Sequence, residues 1–168
     1  LIISTGMADL SDISEAINAC KMVGNKEIYL LHTCSLYPTK SEDVRILNLR
    51  KLSDIFNIPV GFSDHTIGST AAISAVALGA KIIEKHFTLD KKSNGPDHFY
   101  AAEPEEFKEY IKKIRETEAM INTPDITINE KVKKNARRKS IFISRSSKIN
   151  STKRIWTCFV PRLSLGSE

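Results

Sequence analysis

Two histidines, His65 and His86, each close a short apolar run among polar residues: Ile58-Pro59-Val60-Gly61-Phe62-Ser63-Asp64-His65-Thr66 and Lys81-Ile82-Ile83-Glu84-Lys85-His86-Phe87-Thr88. The segment between them, 69–79, is rich in alanine and long enough for one crossover helix. In a βαβ unit such runs are neighbouring parallel strands whose C-terminal ends lie side by side. Both imidazoles then face one point at the mouth of a sheet, where α/β folds place their chemistry. Two neutral imidazoles, with water and substrate oxygens, suit a divalent cation in an open site: Mn²⁺, Mg²⁺, Co²⁺ or Zn²⁺, with each ring nitrogen about 2 Å from the ion. Such an ion polarises a carbonyl oxygen and orients a substrate. On spacing alone, two hydrogen-bonded histidines at strand ends account for the pattern equally well.

Three serines add a second kind of chemistry. Ser4, Ser35 and Ser63 each sit near the C-terminal end of an apolar run. Hydroxyls and backbone N–H groups at such positions make an anion site, although each serine taken singly reads as a helix cap. Asp97, beside the Gly95-Pro96 turn, is placed to accept hydrogen bonds from a polyol hydroxyl, or is an ordinary turn aspartate. Glu84 and Lys85 point to opposite sides of their strand, and Glu84 pairs with a base elsewhere in the core.

A strand–helix alternation repeated four times positions these residues. The expected strands are 1–3, 28–32, 58–62 and 81–87, and the expected helices 9–23, 42–56, 69–78 and 104–121. Asp9 or Ser11 caps the first helix and Ser41 the second. Gly79 ends the third. Pro104 opens the fourth, whose inner stripe is Phe107, Tyr110, Ile111, Ile114 and Ile121. Short, largely apolar strands are those of a sheet buried on both faces. The expected fold is α/β, half of a (β/α)₈ TIM barrel, which normally needs roughly 250 residues. After Ile121 the pattern fails. Thr123-Pro124-Asp125 reads as a linker, 140–144 as a single strand, and 149–168 shows no period.

Composition bounds the rest. The 168 residues are 41% apolar and 27% charged, as in a globular protein with a real core. The longest uncharged stretch, 66–80, falls short of the roughly 20 apolar residues that a membrane span needs. No signal peptide is visible, and the opening at Leu1 inside an apolar run suggests a longer protein. Cys20, Cys34 and Cys158 form no CxxC and are odd in number, which reads as reduced thiols in the cytoplasm. Residues 1–122 carry 14 Lys/Arg and 17 Asp/Glu, against 11 and 3 in 123–168, so the net +5 belongs to the tail. That tail has few interleaved aromatics and reads as a solvated extension more readily than as a nucleic-acid site.

Five segments, in order, resemble the signature segments of the sialic acid synthase family: Ser4-Thr5-Gly6-Met7, His32-Thr33-Cys34-Ser35-Leu36-Tyr37-Pro38, Gly61-Phe62-Ser63-Asp64-His65-Thr66-Ile67-Gly68, Glu84-Lys85-His86-Phe87-Thr88-Leu89-Asp90 and Gly95-Pro96-Asp97-His98. The resemblance covers residues 1–122, with a weaker echo at Arg137-Arg138-Lys139-Ser140-Ile141. It implies a synthase that condenses phosphoenolpyruvate with N-acetylmannosamine or a related N-acetylhexosamine, giving an N-acetylneuraminate-type acid and phosphate. By motif, it implies His65 and His86 as ligands of Mn²⁺ or Mg²⁺. It further implies that Ser4, Ser35 and Ser63 contact phosphoenolpyruvate and that Tyr37 and Asp97 contact the sugar. The aldehyde, polarised at the ion, is attacked by C3 of phosphoenolpyruvate; water then adds at C2 and phosphate leaves.

The resemblance also implies a homodimer for the complete protein. It divides this chain into half a barrel (1–122), a linker (123–136) and a truncated, poorly ordered start of an antifreeze-like domain (137–168). The family's first four strands, with substrate-binding lysines and an acidic residue, have no counterpart in this sequence. The 168-residue chain alone is therefore expected to be inactive and to self-associate through its sheet edges. His32-Thr33-Cys34-Ser35 departs from the commoner order His-Cys-Thr-Ser, and Ala101-Ala102 stands where Ser is frequent. Two other readings stay open: a non-catalytic remnant with an anion-binding tail, and a phosphoenolpyruvate-dependent barrel synthase of the 3-deoxy-heptulosonate type.

Overall fold

The computed structural model describes residues 1–122. The expected linker at 123–136 and antifreeze-like start at 137–168 lie outside the described residues. Four parallel strands alternate with helices: β1 (Ile2–Ser4), α1 (Leu10–Met22), β2 (Tyr29–Thr33), α2 (Asn48–Phe56), β3 (Val60–Asp64), α3 (Thr70–Ala77), β4 (Ile83–Lys85) and α4 (Pro104–Ile121). The sheet order is β1-β2-β3-β4, so each strand lies beside its neighbour in sequence. Among the described residues, no helix is long and apolar enough to cross a membrane.

The register sorts side chains between two faces. Leu30 pairs with Val60, His32 with Phe62, Phe62 with Ile83 and Asp64 with Lys85. Successive strand residues alternate, so this set faces the helices. Leu30, Val60 and Phe62 join Ile13 and Ile17 of α1 and Leu49 and Leu52 of α2 in one buried core. Tyr110 and Ile114 of α4 pack on Ala72 of α3 in a second cluster. The opposite face carries Ser4, Leu31, Thr33, Gly61, Ser63 and Glu84. A Cβ on Gly61 would lie 2.5 Å from the Ile82 carbonyl oxygen, so only glycine lets β3 and β4 approach there.

Caps and breaks follow local chemistry. Asp9 caps α1: its carboxylate accepts from the N–H groups of Ser11 at 2.7 Å and Asp12 at 2.9 Å, while Asp12 accepts from Asp9 N–H at 3.0 Å. Gly79, with φ of 98°, lies just beyond α3. The helix expected over 42–56 is corrected. Ser41–Asp43 is a single 3₁₀ turn, Arg45 has φ of 47°, and α2 begins only at Asn48. His32 Nε2 lies 2.8 Å from the Val44 carbonyl oxygen. The left-handed backbone at Arg45 breaks the helical path, and Asn48 N–H bonds to the Arg45 carbonyl at 2.9 Å. The inner stripe of α4 is also narrower than expected, because Ile111 and Ile121 are 39% and 47% exposed. Regular β4 spans three residues rather than 81–87, with an isolated parallel bridge from Phe87 to Ala102 beyond it.

A buried ion pair ties α4 to the sheet. Lys85 Nζ lies 3.2 Å from Asp64 Oδ2, with side chains 5% and 0% exposed. Tyr110 donates its hydroxyl to the same oxygen at 2.9 Å. Asp64 Oδ1 accepts from the N–H of Thr66 at 2.9 Å and its hydroxyl at 2.7 Å. Lys85 also donates to the Thr66 carbonyl. Every oxygen of the buried carboxylate is thus occupied, as burial of a charge requires. Burial and the neighbouring Asp64 carboxylate raise the Tyr110 phenol above its ordinary range, so it remains a donor.

His32 makes the fold pH-sensitive. Burial holds its pKa below 6.5, against the opposing hydrogen bond to Val44. The unfolded chain therefore binds a proton that the folded chain refuses, and stability falls as pH drops through and below 6.5. We expect the urea midpoint to fall between pH 7.5 and 5.5, and to fall less in His32→Gln, whose amide can keep the Val44 contact. Equal losses in both proteins would show that His32 is not the source.

Candidate active site

His65 and His86 are the residues immediately after β3 and β4, and the pairing of Asp64 with Lys85 sets them side by side. Their ring centroids are 5.2 Å apart with planes at 71°. The expected juxtaposition is present in the structure. His65 Nδ1 lies 2.8 Å from the Cys34 carbonyl oxygen, which can only accept. The proton of the neutral ring therefore sits on Nδ1, and the Nε2 lone pair is directed toward Ser63, whose Oγ is 3.2 Å away. Ser63 donates its hydroxyl to Glu84 Oε1 at 2.5 Å. Tyr37 covers the pair, with its ring centroid 4.3 Å from His65 and 6.0 Å from His86.

The serines divide into two groups. Ser4 Oγ is 2.8 Å from Thr33 Oγ1. Ser4, Thr33, Ser35, Gly6 and Tyr37 line one cavity of 370 Å³. Gly6 makes room for this arrangement, since a Cβ there would lie 2.4 Å from Ser35 Oγ. Ser63 is not among that lining and belongs instead with His65 and Glu84. None of the three serines is a helix cap, because Asp9, Leu47 and Ser69 occupy those positions.

Asp97 accepts the Tyr100 hydroxyl at 2.7 Å. The turn before it is held by Gly95, with φ of 147°, and by His98, whose Nδ1 is 2.7 Å from Thr88 Oγ1. Among the described residues Glu84 pairs with no base in the core. Its strand position places it on the opposite face from Lys85, and its carboxylate takes the Ser63 hydroxyl. Lys85 takes the core partner, Asp64. Among the described residues, no group of three or more His, Cys, Asp and Glu side chains converges to hold a metal.

Residues 1–125 match the NeuB family. The chain belongs to the NeuB family. It is 52% identical over 123 residues to an uncharacterised protein of Methanocaldococcus jannaschii, MJ1065, covering 73% of this chain and 36% of that protein. To the N,N'-diacetyllegionaminic acid synthase of Legionella pneumophila it is 44% identical over 127 residues, covering 73% of this chain and 36% of that enzyme. The crystal structure of an N-acetylneuraminic acid synthetase from Leptospira borgpetersenii superposes with a TM-score of 0.70 at 30% identity, covering 80% of this chain and 47% of that one. The chain thus spans about a third of the length of the curated relatives named here.

Within the NeuB family the four βα units are a contiguous part of a synthase barrel. The helix-free face of the sheet, with Ser4, Thr33, Ser63 and Glu84, is the barrel interior. Two residues of this site escaped sequence reasoning. Glu84 was detectable, because it lies two residues before His86 and so shares its face. Tyr100 carried no local signal: it stands in a loop, 4% exposed, and only the course of that loop brings its ring centroid to 5.1 Å from His86.

Proposed function

We propose that this chain carries the C-terminal half of the active site of a sialic acid (nonulosonate) synthase. The substrates would be phosphoenolpyruvate and N-acetylmannosamine or a related N-acetylhexosamine. The products would be a nonulosonic acid and phosphate. The observation that carries this reading is the pair of imidazoles at adjacent strand ends, 5.2 Å apart, with His65 held through Nδ1 by the Cys34 carbonyl so that its lone pair is on Nε2, 3.2 Å from Ser63 Oγ. Such a donor set fits one divalent ion, Mn²⁺ or Mg²⁺, with remaining positions open to substrate and water. When bound, the ion supplies Lewis acidity to the sugar's carbonyl oxygen.

The chain's own residues do the rest. Cys34 holds the His65 ring in orientation through its carbonyl. The hydroxyls of Ser4 and Ser35, in one cavity, and of Ser63, beside Glu84, would bind and orient the phosphate and carboxylate of phosphoenolpyruvate. Tyr37, packed against the His65 ring and half-exposed, and Asp97, exposed in the loop after β4, would bind the hexosamine. A cytoplasmic homodimer is part of the same reading.

The reading is tested in a chimaera, with residues 1–122 replacing the matching segment of the Legionella synthase. The chimaera should release phosphate from phosphoenolpyruvate when given hexosamine and Mn²⁺. In it, Ser63→Ala should raise the KM for phosphoenolpyruvate about tenfold, as loss of one charge-assisted hydrogen bond of roughly 1.5 kcal/mol predicts. The KM for the sugar should change much less. A folded chimaera without turnover would refute the proposed activity, and a larger effect on the sugar would remove Ser63 from the anion site.

A further inference from the structure

Tyr100 stands where two parts of the proposed site meet. Its hydroxyl is 2.7 Å from Asp97 Oδ1 and 3.4 Å from His86 Nδ1. Its ring lies 5.1 Å from His86 and 5.9 Å from Tyr37, centroid to centroid. A phenol has one proton. The short contact to the carboxylate takes it, because a hydrogen bond to an ionised acceptor is the stronger of the two. The phenol oxygen then has only lone pairs to offer His86.

We infer that Tyr100 is a positioning residue for His86: the phenol, with its proton held by Asp97, accepts from His86 Nδ1–H and keeps the Nε2 lone pair free for the ion. The inference rests on the proposed reading of His65 and His86 as a metal pair. The two histidines are then held by the same device. A group that can only accept faces each Nδ1: the Cys34 carbonyl for His65 and the Asp97-bound phenol for His86. Outer partners of this kind fix the tautomer of a metal-binding imidazole, and their loss typically weakens metal binding 10–100-fold. Asp97 acquires a second role, since a ligand that draws on its carboxylate would change how firmly the phenol is held against His86.

The test uses the full chain with ¹⁵N-labelled imidazoles. Long-range ¹H–¹⁵N correlation at pH 8 without metal reads the tautomers, and Mn²⁺ titration followed by electron paramagnetic resonance reads affinity. In the unsubstituted protein His86 should carry its proton on Nδ1. In Tyr100→Phe the Nε2–H form should gain population and the Kd for Mn²⁺ should rise about tenfold. A folded Tyr100→Phe with unchanged tautomer and unchanged Kd would overturn the inference and leave Tyr100 as a packing residue. If that variant does not fold, Asp97→Ala serves in its place. It frees the phenol proton to donate to Nδ1, so His86 should shift to the Nε2–H form, and no shift would again overturn the inference. An unsubstituted protein that binds no Mn²⁺, alongside a tautomer change in Tyr100→Phe, would defeat the metal reading while leaving the positioning role intact.

Discussion

Asp64→Ala should destabilise the described unit by about 3–5 kcal/mol, because it leaves the buried Lys85 ammonium without its counter-ion. That is a large share of the roughly 5–15 kcal/mol available to a typical domain. The substitution strips four hydrogen bonds from one carboxylate, those from Lys85, Tyr110 and the N–H and hydroxyl of Thr66. Tyr110 and Lys85 come from α4 and β4, so the loss should detach the last βα unit first. Tyr110→Phe keeps the ring packed on Phe107 and removes one donor; it should cost about 1–3 kcal/mol. Urea denaturation of the two variants checks the ranking. If Asp64→Ala proved as mild as Tyr110→Phe, the carboxylate would not be the anchor of α4.

His86→Ala in the chimaera should abolish metal-dependent turnover, a drop of at least about a hundredfold, corresponding to some 2.7 kcal/mol or more of lost transition-state stabilisation. The same substitution should leave the fold intact. His86 follows β4, lies on the opposite face from Lys85 and contributes to neither apolar core. Circular dichroism and the thermal midpoint test that part. Phosphate release unaffected by either His86→Ala or chelation would remove the two-imidazole site from the chemistry. Retained Mn²⁺ affinity in His86→Ala with lost turnover would move His86 from ion binding to a role in orienting the sugar.

Local pattern carried most of the backbone. The α4 boundaries at Pro104 and Ile121 are those expected from a proline at the first turn and a period near 3.6. The α1 cap at Asp9 was one of two expected. Strands β1, β2 and β3 each end one or two residues later than the apolar runs, at Ser4, Thr33 and Asp64. The ladder pairs backbone groups and is indifferent to side-chain polarity, so it continues into the polar residues. That displacement has a functional consequence: Ser4 and Ser63 are held within strands, and are correspondingly fixed in direction. The failure over 42–56 has the opposite origin. The local sequence favours a helix there, but Arg45 takes a left-handed conformation, and a histidine from β2 reaches the Val44 carbonyl beside it.

The order of the βα units, the parallel sheet and the two histidines at neighbouring strand ends were legible in the sequence, because each depends on residues close together in the chain. So were the five segments that mark the family. What only the tertiary structure decided is where the protons go. The Cys34 carbonyl reaches His65 across 31 positions, and the Ser63 hydroxyl turns to Glu84 across 21. The phenol that meets His86 comes from a loop with no period to read. A hydrogen bond is directional and short-ranged, so its partner is set by how loops return to the strand ends. No spacing along the chain encodes that path.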